Sequence, residues 1–392
     1  MNIRLDPQVE KIIAVLEAHG YEAYAVGGCV RDSLLGRIPN DWDVTTSARP
    51  EEVKKLFKKT VDTGIKHGTV TVMFKKTGYE VTTYRIDGCY TDNRHPESVI
   101  FTDLLYEDLR RRDFTINAMA YSNERGLQDL FGGQKDLKDG VVRAVGVPME
   151  RFEEDALRIL RCVRFASQLN FTIDRDTLFA AKALSGNLKD ISKERIREEL
   201  VKILVSGHPE YVGLLYEIGA APFIEPSFEN RKESALKLLL NVPDDEVFRL
   251  SAFMYGAEDP DKAMRDLKFD NRTRKDVVSM VRFANERLSA ERSGIRRLMR
   301  VYGKEDFDRL LVFNGLVNEK DVQEERREAQ GIIERGECVN LSELAVTGED
   351  LKANGVPAGK EMGRVLNLLL ERVLDNPEFN KKEKLLLHIS EL

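Results

Sequence analysis

The chain has 392 residues, which is too many for one typical hydrophobic core and predicts roughly two to four domains. Its formal net charge of −6 is not typical of a nucleic-acid-binding protein, so any surface that binds RNA or DNA has to be a local patch of positive charge. No apolar run is long enough to span a bilayer, the segment Met1–Tyr21 is charged and amphipathic rather than signal-like, and the four cysteines lack the spacing of a metal site or a disulfide framework. We therefore expect a cytoplasmic protein with reduced thiols.

The first chemically informative element is a double glycine that ends the apolar run Tyr24–Val26. Because glycine has no side chain, the backbone at Gly28 can approach a phosphate closely. Three residues later, Arg31 supplies a fork of donors for phosphate oxygens. A glycine pair by itself is usually an ordinary turn, but together with the arginine it indicates a site for a ligand that carries phosphate.

Two aspartates follow shortly after this turn. Residues two apart on an extended segment point to the same side, so Asp41 and Asp43 would present both carboxylates on one face. Mg²⁺ prefers a few carboxylates together with substrate phosphates. An Asp-x-Asp pair alone is usually a solvated turn or a cap. The order of glycine pair, arginine and Asp-x-Asp is more specific, and it predicts a nucleotidyl-transfer site in which Asp41 and Asp43 are catalytic metal ligands.

The chain changes character once along its length. Up to about Gly140, β-rich runs are mixed with helical stretches, which indicates packing around one sheet. The clearest of these runs are Thr69–Phe74, Glu80–Arg85 and Val99–Phe101. Beyond Pro148, apolar residues recur at three- and four-residue spacing almost throughout, a pattern typical of helices. The sequence thus predicts an α+β fold, with a mixed sheet and helices followed by a helical remainder.

A third carboxylate is expected near the aspartate pair, because two metal ions can stabilise both the attacking and the leaving oxygens of a nucleotidyl transfer. Glu80, at the start of the run EVTTYR, is the best-placed candidate on a neighbouring strand. The alternative is that it is an ordinary glutamate at a strand edge. We predict that Glu80 is the third catalytic carboxylate beside Asp41 and Asp43.

Asp155 and Arg158 are three residues apart on a predicted helix and would share one face. A carboxylate accepts a hydrogen bond from an exocyclic amino group, and a guanidinium donates to the adjacent ring nitrogen. Cytosine and adenine present that order, whereas uracil and guanine present the opposite one, so this pair is able to select C and A without a nucleic-acid template. The alternative is a surface salt bridge, which is disfavoured by two further arginines on the same face, Arg161 and Arg164.

In their order, these motifs resemble the signature of the class II tRNA nucleotidyltransferase and bacterial poly(A) polymerase family. The match begins with GGCVRD and Asp-x-Asp and continues through RRDFTINA, RFEEDALRILRCVRFA and ISKERIREEL, over roughly the first half of the chain. The segment LAVTGEDLKANGVPAGKEMGRVLNLLLERVL also looks like the closing segment of bacterial CCA-adding enzymes. Gly28 and Arg31 are then expected to hold a triphosphate, with Arg112 as a further nucleotide contact. In the helical part, the resemblance assigns nucleotide binding to Asp155, Arg158, Arg161 and Arg164.

The family implies a polymerase-β-like nucleotidyltransferase head followed by an all-helical neck, body and tail. We place these parts at residues 1–140, 141–206, 207–305 and 306–392, with base recognition in the neck and tRNA binding by body and tail surfaces. The resemblance further implies Mg²⁺ as the cofactor and CTP, ATP and tRNA as partners, with the tRNA contacted at its 3′ end, acceptor stem and T-arm. The sequence does not fix the oligomeric state, and a homodimer is one option.

The segment Asp87–Phe101 is polar and contains Gly88 and Pro96, which is typical of a mobile loop. It resembles the flexible loop that CCA-adding enzymes use when they change from CTP to ATP, and Arg94 is its candidate working residue. The sequence is therefore interpreted as an enzyme that adds and repairs the 3′-terminal CCA of tRNA and releases pyrophosphate.

Other functions stay open. An enzyme that adds only the terminal A is not separated from a full CCA-adding enzyme by these motifs. A bacterial poly(A) polymerase shares the head, but it is expected to carry a more basic C-terminal extension than the ending FNKKEKLLLHISEL. A different class is an inactive RNA-binding module, which the intact Asp41, Asp43 and Arg158 disfavour.

The stretch Lys262–Arg300 is strongly basic in an otherwise acidic protein. On composition alone, a solvated helical face and a surface that follows RNA phosphates explain it about equally well. Given the motifs of the head, we expect this stretch to bind RNA.

Overall fold

The computed structural model describes three stretches of the chain, residues 3–88, 99–229 and 232–389. It divides into two compact units. The first comprises Met1–Leu236 and Lys262–Phe269, and the second comprises Lys237–Asp261 and Asp270–Leu392. The predicted α+β fold is confirmed, because a mixed sheet with helices occupies the first part of the chain and helices make up the remainder. The finer division into head, neck, body and tail stays a prediction.

The sheet lies at the centre of the first unit. In the described residues the strands are β1 (Ala23–Val26), β2 (Asp43–Thr46), β3 (Thr60–Gly64), β4 (Thr69–Phe74), β5 (Thr77–Thr83), β6 (Arg85–Asp87), β7 (Val99–Phe101), β8 (Met119–Ser122), β9 (Gly126–Asp129), β10 (Val141–Val142) and β11 (Thr172–Ile173). Seven of them form one sheet in the order β3-β4-β5-β2-β1-β8-β9, in which β2 and β5 are parallel and the other neighbours are antiparallel. All four residues of β1 are buried.

Helices pack around this sheet and continue beyond it. Those that begin before residue 236 are α1 (Pro7–Ala18), α2 (Gly28–Leu34), α3 (Pro50–Leu56), α4 (Leu105–Arg110), α5 (Gly133–Asp139), α6 (Pro148–Glu154), α7 (Leu157–Leu169), α8 (Arg175–Leu184), α9 (Lys193–Leu204), α10 (Gly213–Glu217), α11 (Ala221–Ile224) and α12 (Lys232–Leu239). The later ones are α13 (Glu246–Met254), α14 (Pro260–Asp266), α15 (Asn271–Phe283), α16 (Arg292–Tyr302), α17 (Phe307–Asn318), α18 (Gln323–Glu334), α19 (Gly348–Ala353), α20 (Lys360–Asp375) and α21 (Lys382–Ile389). None of the helices in the described residues is long and apolar enough to cross a membrane.

Helix α1 shows how local sequence determines these elements. The Asp6 side chain accepts hydrogen bonds from the backbone N–H groups of Gln8 and Val9 at 2.8 and 3.3 Å, and a proline occupies the first turn. These are the residue types that favour a helix start. The buried residues then recur at helical spacing and cover β1 and β2; they are Val9, Ile12, Ile13 and Leu16.

The strand predictions are largely confirmed. The runs Thr69–Phe74 and Val99–Phe101 are β4 and β7 with the predicted bounds. The run Glu80–Arg85 is divided instead, because β5 ends at Thr83 and β6 begins at Arg85. Of the predicted loop Asp87–Phe101, residues 89–98, with Arg94, lie outside the described part of the chain.

The prediction that Asp155 and Arg158 lie on one helix is wrong. Helix α6 ends at Glu154 and α7 begins at Leu157, and Asp155 between them has extended dihedral angles, φ −144° and ψ 103°. The Asp155 carboxylate accepts a hydrogen bond from the Leu157 backbone N–H at 3.1 Å. Aspartate favours this use beside a helix start, since it satisfies a donor that the helix leaves free.

Candidate active site

The double glycine forms the turn between β1 and α2. Gly27 has φ +82° and ψ −131°, a backbone conformation that L-residues with a side chain rarely adopt. A Cβ atom at Gly27 would also lie 3.2 Å from Nη1 of Arg112. Glycine is therefore required at position 27 by both the backbone and its neighbour, and the turn brings Arg112 to the start of α2.

Arg31 lies on α2 beside this turn and is held firmly. Its guanidinium donates to Asp32 from Nε at 2.9 Å and from Nη2 at 2.8 Å, and its Nη1 donates to Oδ1 of Asn117 at 2.7 Å. The guanidinium also lies 5.1 Å from the ring centre of Phe165 on α7. The predicted phosphate-binding residues Gly28, Arg31 and Arg112 are thus brought together at one place.

The predicted carboxylates meet where the start of β2 lies beside the middle of β5. Asp43 is the first residue of β2 and lies directly opposite Glu80 in the register of β2 with β5. Asp41 precedes β2 by two residues, and all three side chains line one cleft of about 1030 Å³. The sequence-based placement of Glu80 on a strand next to Asp43 is therefore confirmed, while its catalytic role stays a prediction.

The electrostatics of this cleft favour a cation. The pKa of Asp43 is raised, first because the cleft removes water from the carboxylate; the charge of Arg112 opposes the rise, and the like charges of Glu80 and Asp41 add to it. A cation between these groups would relieve that repulsion. Within the described residues, no three His, Cys, Asp or Glu side chains converge closely enough to hold a metal ion by themselves. The site fits Mg²⁺ in the sense that this ion is usually bound by one or two carboxylates, waters and substrate phosphates.

A buried aspartate, Asp108, positions Arg111 and Arg112, which line a small cavity together with Asp43 and Glu80. Asp108 is fully buried and accepts hydrogen bonds from Nη2 of Arg111 at 2.7 Å, Nη2 of Arg112 at 3.2 Å and Oγ1 of Thr45 at 3.0 Å. Burial alone would raise the pKa of Asp108, but the two arginine charges and these hydrogen bonds lower it to about 2. Asp108 was not predicted from the sequence, although its spacing of three and four residues from the arginines was a usable signal.

A second chain of contacts joins the glycine turn to α7. Asp113 accepts two hydrogen bonds from Arg161, at 2.9 and 2.6 Å, and one from the Asn117 side chain at 3.1 Å. Because Asn117 in turn accepts from Arg31, the residues Arg31, Asn117, Asp113 and Arg161 form a continuous link. The arginine charge of Arg161 lowers the pKa of Asp113 to about 2 against the effect of burial. This link was not predicted from the sequence.

The candidate base-reading residues have separate partners. Asp155 accepts hydrogen bonds from the guanidinium of Arg195 on α9, at 2.8 and 3.3 Å. Arg158 donates to Glu154 at 2.6 Å and to the carbonyl oxygens of Arg151 and Arg111 at 3.1 and 3.0 Å. Asp155 and Arg158 are therefore not held by a salt bridge to each other, which was the alternative considered from the sequence. Neither Arg195 nor Glu154 was predicted from the sequence.

Arg164 is as buried as Arg158, the first member of the arginine row. It pairs with Glu199 of α9 at 3.1 Å, and its guanidinium lies 4.2 Å from the ring centre of Phe165. Burial lowers the pKa of Arg164 to about 10, although Glu199 acts in the opposite direction. The structure thus assigns Arg164 a packing position on α7, and its predicted contact with a nucleotide stays a prediction.

The cysteines behave as structural residues. Cys29, next to the glycine turn, is buried, and burial raises its pKa to about 11. Cys162 and Cys338 are buried and unpaired as well. A protonated, enclosed thiol is a poor nucleophile, so these three buried cysteines are suited to packing rather than to chemistry.

The basic stretch Lys262–Arg300 is less uniform than its composition suggests. Arg296 is buried and donates to Glu337 at 2.7 Å and to the Leu374 carbonyl oxygen at 2.7 Å. Arg297 and Arg300 pair with carboxylates of α20. On α15 the exposed cations Arg272, Lys275 and Arg282 lie on one face, and other cations of the stretch are exposed as well. The expectation that this stretch binds RNA stays a prediction, and it applies to the exposed cations rather than to the buried Arg296.

Comparisons with known proteins agree with this geometry. Three protein-family models match the chain: the poly(A) polymerase head domain at residues 23–143, the probable RNA- and SrmB-binding site of polymerase A at residues 170–231, and the putative tRNA nucleotidyltransferase domain 2 at residues 245–389. The first match contains the glycine turn and the carboxylates. The last match falls on the helical region after residue 244.

Full-length relatives give the same result. The chain is 37% identical to a CCA-adding enzyme of Ligilactobacillus salivarius, over 97% of this chain and 95% of the relative, and 39% identical to one of Enterococcus faecalis, over 96% and 93%. Among solved structures, the CCA-adding enzyme of Bacillus stearothermophilus in complex with CTP matches with a TM-score of 0.83 and 31% identity, over 99% of this chain and 98% of that chain. The resemblance noted in the motifs is therefore confirmed, and the chain belongs to the family of CCA-adding enzymes, which are tRNA nucleotidyltransferases.

Proposed function

We propose that this protein builds and repairs the 3′-terminal CCA of tRNA from CTP and ATP, without a nucleic-acid template and with release of pyrophosphate. The observation that carries the proposal is the register of β2 with β5, which sets Asp43 opposite Glu80 in the cleft that also contains Asp41. Support comes from the relatives that are named CCA-adding enzymes and from the similar structure that was solved with CTP.

Nucleotidyltransferases of this family generally use a divalent metal, and we propose Mg²⁺ held by Asp41 and Asp43. When bound, the metal supplies charge that stabilises the attacking and leaving oxygens of the transfer. The Gly28 backbone, Arg31 and Arg112 hold the triphosphate beside the glycine turn. Arg112 is kept in place for this purpose by Asp108, which fixes the direction of its guanidinium.

The transfer itself is an in-line displacement. The 3′ oxygen of the RNA forms a bond to the α-phosphorus of the nucleotide, the bond from that phosphorus to the bridging oxygen breaks, and pyrophosphate leaves with both electrons. The hydroxyl proton passes to a nearby carboxylate or to water. Glu80 is a candidate acceptor for this proton because it lies next to Asp43 on the adjacent strand.

Base selection rests on Asp155 and Arg158. The carboxylate accepts from the exocyclic amino group of cytosine or adenine, and the guanidinium donates to the neighbouring ring nitrogen. A base that binds this pair competes with Arg195 and Glu154 for the same polar atoms. Such an exchange of one hydrogen bond for another has a small net free energy, so the pair can serve two different nucleotides in turn.

The remaining expectations become part of the same proposal. The chain would consist of a head at residues 1–140, a neck at 141–206, a body at 207–305 and a tail at 306–392. The body and tail would contact the acceptor stem and T-arm of the tRNA mainly through phosphates. The match of residues 245–389 to a tRNA nucleotidyltransferase domain supports a tRNA substrate over a poly(A) primer.

The test is nucleotide incorporation by the purified protein on three labelled tRNAs that end before CCA, after the first C and after CC. CTP and ATP are supplied separately and together in the presence of Mg²⁺. Completion of all three tRNAs is the expected result. Addition of A to the CC-ended tRNA alone would identify an A-adding enzyme, long A tails on any RNA a poly(A) polymerase, and binding of tRNA without incorporation an inactive RNA-binding module.

A further inference from the structure

Three arginines of the candidate active site converge on one aromatic ring, that of Phe165 on α7. The guanidinium carbon lies 4.2 Å from the ring centre for Arg164, 5.1 Å for Arg31 and 5.4 Å for Arg161. Two of these cations belong to α7 itself, whereas Arg31 comes from α2. The ring is 5% exposed and makes an edge-to-face contact with Phe114, at 5.7 Å between ring centres. Phe165 therefore joins the proposed triphosphate contact on α2 to α7.

Packing of α7 does not require cations at this ring. A buried phenylalanine stabilises a fold by removing apolar surface from water, and Phe152 of α6 does so with no cation over its ring in the described part of the chain. Around Phe165, by contrast, like charges act on one another. The pKa of Arg164 is lowered to about 10, first by burial, and the charges of Arg161 and Arg31 act in the same direction. The electron-rich face of an aromatic ring attracts a cation, so the ring offsets part of this repulsion.

An aromatic ring orients a guanidinium without using its N–H donors. Arg31 donates to Asp32 from Nε at 2.9 Å and from Nη2 at 2.8 Å, and to Asn117 from Nη1 at 2.7 Å. Because a guanidinium has five N–H donors, some remain for the oxygens of a phosphate. A carboxylate in the place of Phe165 would accept from those donors and add a charge that repels a triphosphate. An aromatic side chain at this position orients the cation and leaves the donors available.

We infer that Phe165 is a positioning residue for the triphosphate. Its ring fixes the guanidinium of Arg31 against α7 and so sets the direction of the donors that bind the phosphates. The inference rests on the proposed function and deepens it, because it assigns part of the affinity for nucleotide to a side chain that acts through Arg31. CTP and ATP carry the same triphosphate, so loss of the ring weakens the binding of both by the same factor. Arg158 has other partners, Glu154 and two backbone carbonyl oxygens, so the choice of base is unaffected.

The first test changes the electron density of the ring with little change in its size. Mono-, di- and trifluorinated phenylalanine at position 165 of the full-length protein withdraw electrons from the ring in steps, and each step weakens its attraction for a cation. Kd for CTP and for ATP, measured by calorimetry without RNA, should rise along the series by about 3- to 10-fold in total and equally for both nucleotides. The same series at Phe152 is the matched control and should leave both Kd values unchanged. Kd values that do not respond to fluorination at Phe165 overturn the inference, since a purely structural role predicts no trend.

A double-variant cycle tests whether Phe165 acts through Arg31. Phe165→Leu keeps an apolar side chain without the ring, and it should raise KM for CTP and for ATP on the order of 10-fold, with the preference for CTP over UTP unchanged. Added to Arg31→Ala, Phe165→Leu should cause little further loss, because residues in contact are not additive. Losses that multiply would show that the ring acts independently of Arg31, and a lost preference for CTP would show general damage to α7; either result overturns the inference. If Phe165→Leu does not fold, trifluorinated phenylalanine replaces it in the cycle.

Failure of the inference is distinct from failure of the proposed function, because nucleotide binding and nucleotide incorporation are measured separately. A protein that completes tRNA, but whose Kd for CTP does not change with fluorination at Phe165, refutes only the inference. Conversely, a Kd for CTP that follows the fluorinated series in a protein that adds no nucleotide to any RNA refutes only the proposed function.

Discussion

The carboxylates proposed to bind metal and the pair proposed to read the base are positioned in different ways. Asp43 and Glu80 are opposite each other because two parallel strands are in register. Asp155 lies outside the regular helices and is held by an ion pair with Arg195, 40 residues away along the chain. A group set by backbone hydrogen bonds keeps its place whatever ligand is present, whereas a group set by an ion pair can exchange partners at small net free energy. The first arrangement suits chemistry that is repeated unchanged, and the second suits a site that has to accept two bases.

The largest effect is expected at the backbone-set carboxylates. Asp43→Asn keeps the size of the side chain and the strand but removes a charge from the proposed metal site, so kcat for CTP incorporation should fall on the order of 10³-fold or more. Affinity for tRNA, measured by filter binding, should be nearly unchanged.

The control for this variant is Asp139→Asn, which changes an exposed acid of α5 that pairs with Lys135 one helical turn earlier, at 2.7 Å. Its turnover should match that of the original protein. Normal turnover of Asp43→Asn would show that the carboxylate is not a metal ligand.

The link from the glycine turn to α7, formed by Arg31, Asn117, Asp113 and Arg161, should stabilise the first unit. Asp113→Ala leaves the buried side of Arg161 without its partner, so the free energy of unfolding of the first unit should drop by about 3–5 kcal/mol. Urea titration followed by circular dichroism measures the change. Asp139→Ala, which breaks only an exposed pair, should cost less than about 1 kcal/mol, and equal effects of the two variants would refute a structural role for the link.

Acid should weaken the same region. Asp108 and Asp113 have pKa values lowered to about 2 from the ordinary 3.8, so both carboxylates stabilise the folded protein above the ordinary value. That stabilisation, on the order of 2 kcal/mol for each group, is lost as the pH falls from about 4 towards 2. Unfolding free energies measured across this range should decrease, and the decrease should be shallower in Asp113→Asn. An identical pH dependence in the variant would contradict the assignment.

Asp155 and Arg158 should determine which base the protein accepts. Asp155→Ala should reduce the preference for CTP over UTP by about 10- to 100-fold in kcat/KM, because a good paired contact is worth about 1–3 kcal/mol of discrimination. Arg195→Ala should reduce it less, since this residue acts by positioning Asp155. Rescue by Arg195→Lys, which keeps a cation near the carboxylate, distinguishes positioning from general damage. Unaltered selectivity in Asp155→Ala would exclude the pair as the protein template.

The same contrast explains what the sequence could and could not predict. Alternation over a few residues was enough to place Asp43 and Glu80 on neighbouring strands, although β5 begins at Thr77 and ends at Thr83, so the bounds of the predicted run Glu80–Arg85 were wrong. The prediction of one helix through Asp155 and Arg158 was wrong, because periodicity does not show that the Asp155 side chain accepts a hydrogen bond from the start of the next helix. Arg195 was missed because its partner Asp155 is set by tertiary packing, which no local pattern contains. Asp108 was missed although its arginine partners lie three and four residues away, because the local spacing does not show that the carboxylate is buried.

The smallest effects are expected on the exposed face of α15. Arg272, Lys275 and Arg282 are exposed there, whereas Arg297 and Arg300 of the same basic stretch are paired with acids of α20. Replacing the three exposed cations by alanine should weaken tRNA binding modestly and reduce its salt dependence by about 0.9 in slope for each phosphate contact that is lost. Arg364→Ala, an exposed arginine paired with Glu361, is the control and should leave the slope unchanged. If the triple variant kept the full salt dependence, this face of α15 would be a solvated surface, and the RNA-binding surface of the protein would have to lie elsewhere.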